Sequence, residues 1–157
     1  MERTAACPCR QLSIKVAGEP KLVTACSCTQ CQRRTGSVFS YSAQWTAASV
    51  LGIFGQRQIY ERVSGSGRKA RQSFCPNCGS TVFSELDVLP DHVVIAVGAF
   101  ADPSFAPPSV VLWSASKHPW VGLPREAWLV AGQGGSSISR KQPGEAQRSS
   151  ETEEAHD

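Results

Sequence analysis

Seven cysteines, all before residue 79, constrain this chain more than any other feature. They form three tight groups: Cys7-Pro8-Cys9, then Cys26-Ser27-Cys28-Thr29-Gln30-Cys31, then Cys75-Pro76-Asn77-Cys78. An odd number cannot complete a disulfide framework without leaving a free thiol, and a reducing cytosol does not sustain disulfides. Cysteines serving as small buried hydrophobes would be scattered among core positions. Metal ligation explains the clustering, because C-x-C and C-x-x-C spacings deliver two sulfurs to one point.

Zinc about 2.3 Å from each sulfur requires thiolates within roughly 4 Å of one another. Residues i and i+2 of an extended segment share a face, so Cys7 and Cys9 can supply two ligands. Cys75-Pro76-Asn77-Cys78-Gly79 reads as a knuckle, closed by a glycine suited to positive φ. Two partitions follow. In one, Cys7, Cys9, Cys75 and Cys78 form a closed site, and Cys26, Cys28 and Cys31 form a second site with an open position. In the other, the middle group joins one pair and the remaining pair is idle. The first uses every cysteine and ties the N-terminal strand to a distant turn, which suits a small domain short of core. A closed four-thiolate site is structural, whereas a three-ligand site keeps a position for substrate unless His92 or His118 fills it. Iron–sulfur ligation by the middle group fits neither common ferredoxin spacing.

Around these groups the chain reads as short strands between turn signals. Leu12, Ile14 and Val16 alternate with polar residues, as do Phe39, Tyr41, Ala43 and Trp45, and more weakly Ile59, Glu61 and Val63. Thr81-Val82-Phe83, the run His92–Val97 and Val110–Trp113 add three more, the last two apolar enough for burial on both faces. Gly/Ser/Pro clusters separate them, Gly65-Ser66-Gly67 being a turn rather than a phosphate cradle. Helical periodicity is poor throughout, with one short turn expected near Thr46–Val50. The expectation is a mainly β single domain over residues 1–131. Residues 132–157 hold no aromatic and one large aliphatic residue, Ile138, so they read as a disordered tail. No apolar run approaches the roughly 18 residues that span a bilayer. The sequence therefore reads as soluble and cytoplasmic, with no membrane partner.

The three groups in this order, with Gln32-Arg33-Arg34-Thr35-Gly36-Ser37 after the second and Arg71-Gln72-Ser73-Phe74 before the third, resemble the glutathione-dependent formaldehyde-activating enzyme family. That family shares its domain with centromere protein V. Gly98 through Pro103 and Lys117-His118-Pro119-Trp120 match its later motifs, so the resemblance spans about residues 5–124. It implies a β-tent fold of small twisted β-sheets and two Zn2+ per chain, held as in the first partition. It further implies addition of the glutathione thiol to formaldehyde, giving S-hydroxymethylglutathione. Three departures lie near the cysteines: Arg10 where the family commonly has Gly, Ser27 where it commonly has His, and Gln32 ahead of the arginine that usually follows the cluster directly.

Arg33 and Arg34, with Arg68, Lys69 and Arg71, could receive the carboxylates of glutathione through bidentate pairs, or form a solvated basic face. Trp113 and Trp120 read as packing residues, and His118 as a candidate acid/base. The favoured function is a zinc-dependent carbon–sulfur lyase or synthase joining a thiol to an aldehyde. The alternative is a zinc-stabilised binding module without catalysis, as in the centromere protein V branch. A zinc-ribbon nucleic-acid binder is disfavoured: the net charge is only +3, and Lys/Arg are not gathered on one element.

Overall fold

The computed structural model describes residues 1–63 and 67–132, together with the backbone of a short strand at 138–140. It is mainly β, with two sheets and one short helix. The small sheet has the order β1-β2-β5, made of β1 (Glu2–Ala6), β2 (Ser13–Ala17) and β5 (Val50–Phe54), all antiparallel. The other strands are β3 (Leu22–Cys26), β4 (Ser40–Thr46), β6 (Gln58–Val63), β7 (Lys69–Phe74), β8 (Thr81–Leu86), β9 (Leu89–Ala96), β10 (Val110–Leu112), β11 (Trp128–Val130) and β12 (Ile138–Arg140). They form one nine-stranded sheet ordered β12-β11-β10-β3-β4-β9-β8-β7-β6. Pairing is antiparallel except where β10 runs parallel to β3 and β11. The expected mainly β architecture is found, and the larger of its two sheets is longer than small-sheet packing suggests.

The alternating residues define the core. Leu12, just before β2, and Ile14 and Val16 on it pack in one cluster with Ala43 and Trp45 of β4, Val93 and Ile95 of β9, and Phe83 of β8, all buried. Period-two alternation places these side chains on one face of each strand. β9 departs from the expectation of burial on both faces: Val93 and Ile95 are buried, while Val94 and Ala96 are only half-buried. A smaller cluster of Ala25, Val111 and Ala127 lies under Phe39, Leu123 and Leu129. Arg3 joins the first strand to the turn after β9: its guanidinium bonds Asp102 at 3.3 Å and Glu19 at 3.2 Å. It also lies 5.1 Å from the centre of the Phe105 ring.

One sequence expectation changes and another is met. The chain has a helix, α1 (Thr29–Thr35), immediately after the second cysteine group. Its residues bear no apolar stripe and none is buried, so no helical period marks it. The turn expected near Thr46–Val50 is present as a 3-10 turn at Ala47–Ser49. Within the segment read as a tail, β12 pairs antiparallel with β11, Trp128 opposite Arg140. Residues 133–137 and 141–157 of that segment lie outside the described residues. Among the described residues no helix is long and apolar enough to cross a membrane.

Candidate metal centres

The first and third cysteine groups meet. Cys7 and Cys9 lie in the turn between β1 and β2, and Cys75 and Cys78 in the turn between β7 and β8. Their four sulfurs all lie within 4.8 Å of one another. Cys7 Sγ is 3.5 Å from Cys9 Sγ, which is 3.6 Å from Cys75 Sγ. Tetrahedral zinc with bonds of about 2.3 Å sets sulfurs about 3.8 Å apart, so the donor set fits that ion closely. All seven cysteines are free thiols, these spacings being far longer than the about 2.05 Å of a disulfide.

Backbone geometry makes the site. The Arg10 N–H donates to Cys7 O (2.8 Å) and the Gly79 N–H to Cys75 O (2.8 Å), folding each pair into a tight turn. Both donors sit at positive φ, Gly79 at 73° and Arg10 at 60°. Glycine adopts that region freely, whereas a residue with a Cβ meets the following carbonyl there. The Leu12 N–H donates to Cys7 Sγ at 3.3 Å, and the Cys75 thiol donates to Gln11 Oε1 at 3.2 Å. Cys7 and Cys75 are buried, while Cys9 and Cys78 are exposed. The exposed pair favours thiolate: the Ser80 backbone N–H and hydroxyl lower Cys78 to about 6, and the Asn77 side chain lowers Cys9. Burial pushes Cys75 up to about 11. A cation among these four groups resolves that conflict by favouring thiolate at every sulfur.

Cys26, Cys28 and Cys31 form the second cluster, their sulfurs within 4.8 Å of one another and each residue half-buried. β3 ends at Cys26, Cys28 caps the N-terminus of α1, and Cys31 lies in its first turn. The Cys31 N–H donates to Cys28 Sγ at 3.3 Å, so the cap that starts the helix also orients a sulfur. Gly36 ends the helix in the left-handed conformation that closes helix C-termini. The Cys26 thiol, Ser40, Cys28 and the nearby Arg34 guanidinium together hold Cys31 at about 5. The same bond to Cys31, with partial burial, drives Cys26 strongly upward. Among the described residues no histidine or carboxylate joins these three sulfurs. His92 lies on β9 opposite Thr46, and His118 Nε2 is 3.2 Å from Gln32 Oε1.

The remaining candidates separate. Arg33 and Arg34 both fall in the last turn of α1. Arg34 lines a small groove of about 60 Å³ with the hydroxyl residues Thr35, Ser40, Ser42, Thr81 and Ser84 and with Tyr41, Phe83 and Val94. Lys69 and Arg71 are engaged elsewhere, Lys69 with Glu61 (2.8 Å) and Arg71 with Asp87 (2.9 Å). Trp120 is 73% exposed, contrary to a packing role, and its ring meets His118 edge-on with centroids 6.2 Å apart. Gln32, noted only as a departure, bridges two segments: its Nε2 donates to Ser27 O (2.7 Å) and Ser116 O (3.2 Å). Ser40 and Gln11 carried no sequence signal, because each reaches a cysteine only through tertiary packing.

A family model described as glutathione-dependent formaldehyde-activating enzyme matches residues 2–116. A search among curated proteins found no match. Among solved structures, the crystal structure of a Rhodobacter sphaeroides protein aligns with a TM-score of 0.48 and 18% identity, over 66% of this chain and 91% of that one. The family match takes in both cysteine clusters and α1, and the chain belongs to the glutathione-dependent formaldehyde-activating enzyme family.

Proposed function

We propose that this protein is a zinc-dependent carbon–sulfur lyase or synthase of the cytoplasm, joining glutathione to formaldehyde or a related aldehyde. Cys7, Cys9, Cys75 and Cys78 hold a structural zinc, and Cys26, Cys28 and Cys31 a second zinc that faces substrate. The observation that carries this reading is the inequality of the two clusters. One offers four sulfurs and is self-sufficient; the other offers three, beside a groove bearing Arg34 and several hydroxyls. A zinc ion on the three sulfurs supplies a Lewis acid and favours thiolate over thiol at neutral pH.

The chain's own groups supply position and charge. Arg34 pairs with a carboxylate of glutathione, and Arg33, one residue earlier in the same turn, is a second cation for the other. Ser40, Ser42, Thr81 and Ser84 offer hydroxyls to the peptide groups of the thiol. In the addition a sulfur–carbon bond forms, the carbonyl π bond breaks, and the thiol proton ends on the former carbonyl oxygen. Holding two small reactants together accounts for most of the acceleration such a mild addition needs. No step calls on nucleic acid or a membrane.

The test follows formation of S-hydroxymethylglutathione by the zinc-loaded protein against the uncatalysed rate. A rate above background that is lost in Arg34→Ala supports the proposal. No acceleration at any glutathione concentration overturns it in favour of a zinc-stabilised binding module.

A further inference from the structure

Helix α1 places two of the three sulfurs in the second cluster, Cys28 at its cap and Cys31 in its first turn, yet apolar packing does not hold it. None of its seven residues is buried. A helix this short, without an apolar stripe, is marginal by itself. A polar side chain supplies the anchor. Gln32 is half-buried, and its Nε2 donates to Ser27 O (2.7 Å), between Cys26 and Cys28. The same Nε2 donates to Ser116 O (3.2 Å), in the 3-10 turn Ser114–Ser116. Its Oε1 lies 3.2 Å from His118 Nε2. Ser27 is held from its other side as well: its N–H donates to Leu112 O (3.0 Å), continuing the parallel pairing in which Leu112 lies opposite Cys26. Both backbone groups of Ser27 are engaged, one by β10 and the other by Gln32.

The partners fix which way the amide points. A primary amide has two N–H donors and one acceptor oxygen. Two of the three partners are carbonyl oxygens, so both hydrogens go to them; the reversed amide would set Oε1 against two oxygens. Oε1 is therefore the acceptor, and His118 donates to it from Nε2, which leaves Nδ1 as the acceptor of the neutral ring. We infer that Gln32 is a positioning residue for the three-cysteine site. With His118 as its third partner, it clamps the Cys26–Cys31 loop to the Leu112–His118 segment and sets where Cys28 and Cys31 stand relative to Cys26. The inference rests on the reading of these three sulfurs as a zinc site, and not on which thiol or aldehyde reacts there. Cys26 ends a strand and is fixed by the sheet, whereas Cys28 and Cys31 move with the helix. Without the clamp the metal itself must order the loop, and its affinity falls. Outer groups that orient metal ligands are typically worth about tenfold to a hundredfold in metal affinity.

Gln32→Met keeps the length of the side chain and removes all three bonds, while His118→Ala removes only the third. The probe is cadmium in place of zinc, followed by 113Cd NMR as a chelator is added; the resonance missing from Cys31→Ser marks the second site. In Gln32→Met that resonance should shift, and its cadmium should be withdrawn at about tenfold lower chelator concentration or less. The first-site resonance should stay where it is, which a general loss of structure would not allow. His118→Ala should weaken second-site binding by about twofold to tenfold, as expected for one hydrogen bond. The imidazole nitrogen shifts of His118 should report the Nε2–H tautomer in the parent and lose that preference in Gln32→Met. A second site unchanged in shift and affinity in Gln32→Met, or His118 found as the Nδ1–H tautomer, would overturn the clamp and leave the zinc reading standing. If the parent shows no resonance that depends on Cys31, the zinc reading of the second cluster falls and takes the clamp's purpose with it.

Discussion

The four-cysteine and three-cysteine clusters gather the same atoms in opposite ways. The first draws its ligands from turns more than sixty residues apart, one beside each sheet, with two sulfurs buried. The second draws all its ligands from Cys26 to Cys31, a loop and the first turn of a helix. A bond between distant segments removes conformational freedom from the whole unfolded chain, whereas a local one removes little. On the proposed reading, sequence separation between ligands, more than ligand chemistry, divides a site that holds a fold from one free to react.

Five substitutions sharpen that contrast. Cys78→Ser should have the largest effect, lowering stability by several kcal/mol and removing one zinc, as metal analysis and thermal melting would show. Gly55→Ala comes next. At Gly55 φ is +86°, and a Cβ would lie 1.6 Å from the carbonyl oxygen of Gln11, the residue whose side chain meets Cys75. Denaturant titration should show a loss of about 1–3 kcal/mol from the forced backbone shift. At the two left-handed positions the signs should oppose, Gly79→Ala losing and Arg10→Gly gaining about 1 kcal/mol. Cys31→Ser should change stability least, by under about 1 kcal/mol, while abolishing the second zinc and any turnover.

The clusters also differ in the protons they release. In the metal-free protein Cys31 is held at about 5 by the hydrogen bond from Cys26. At pH 7 it is already thiolate, so zinc uptake takes no proton from it, while Cys26, pushed upward, still gives one. Indicator-dye titrations of Cys78→Ser should show about one more proton released per zinc as pH falls through about 5. A proton count at the second site that is flat between pH 7 and pH 4 would contradict the assignment of Cys31.

The strands legible in the sequence were those with one buried face. Leu12, Ile14 and Val16 marked β2, and Ala43 with Trp45 marked β4, since burial imposes a period of two. β7, with the sequence Lys-Ala-Arg-Gln-Ser-Phe, was hidden because polar side chains serve an interior strand of the large sheet. Helix α1 was hidden for a similar reason, its cap being a cysteine rather than a usual capping residue. The two cysteine groupings were legible as one of two partitions, because spacing alone limits which sulfurs can meet. The Arg34 groove was not, since it is assembled from strands far apart in sequence.

The central claim, one closed site and one open, is tested most directly by 113Cd NMR of the cadmium-substituted protein titrated with glutathione. The account predicts two resonances in the thiolate range, of which only one shifts with glutathione, and that one is missing from Cys31→Ser. A single resonance, or two that both stay fixed at saturating glutathione, would contradict it.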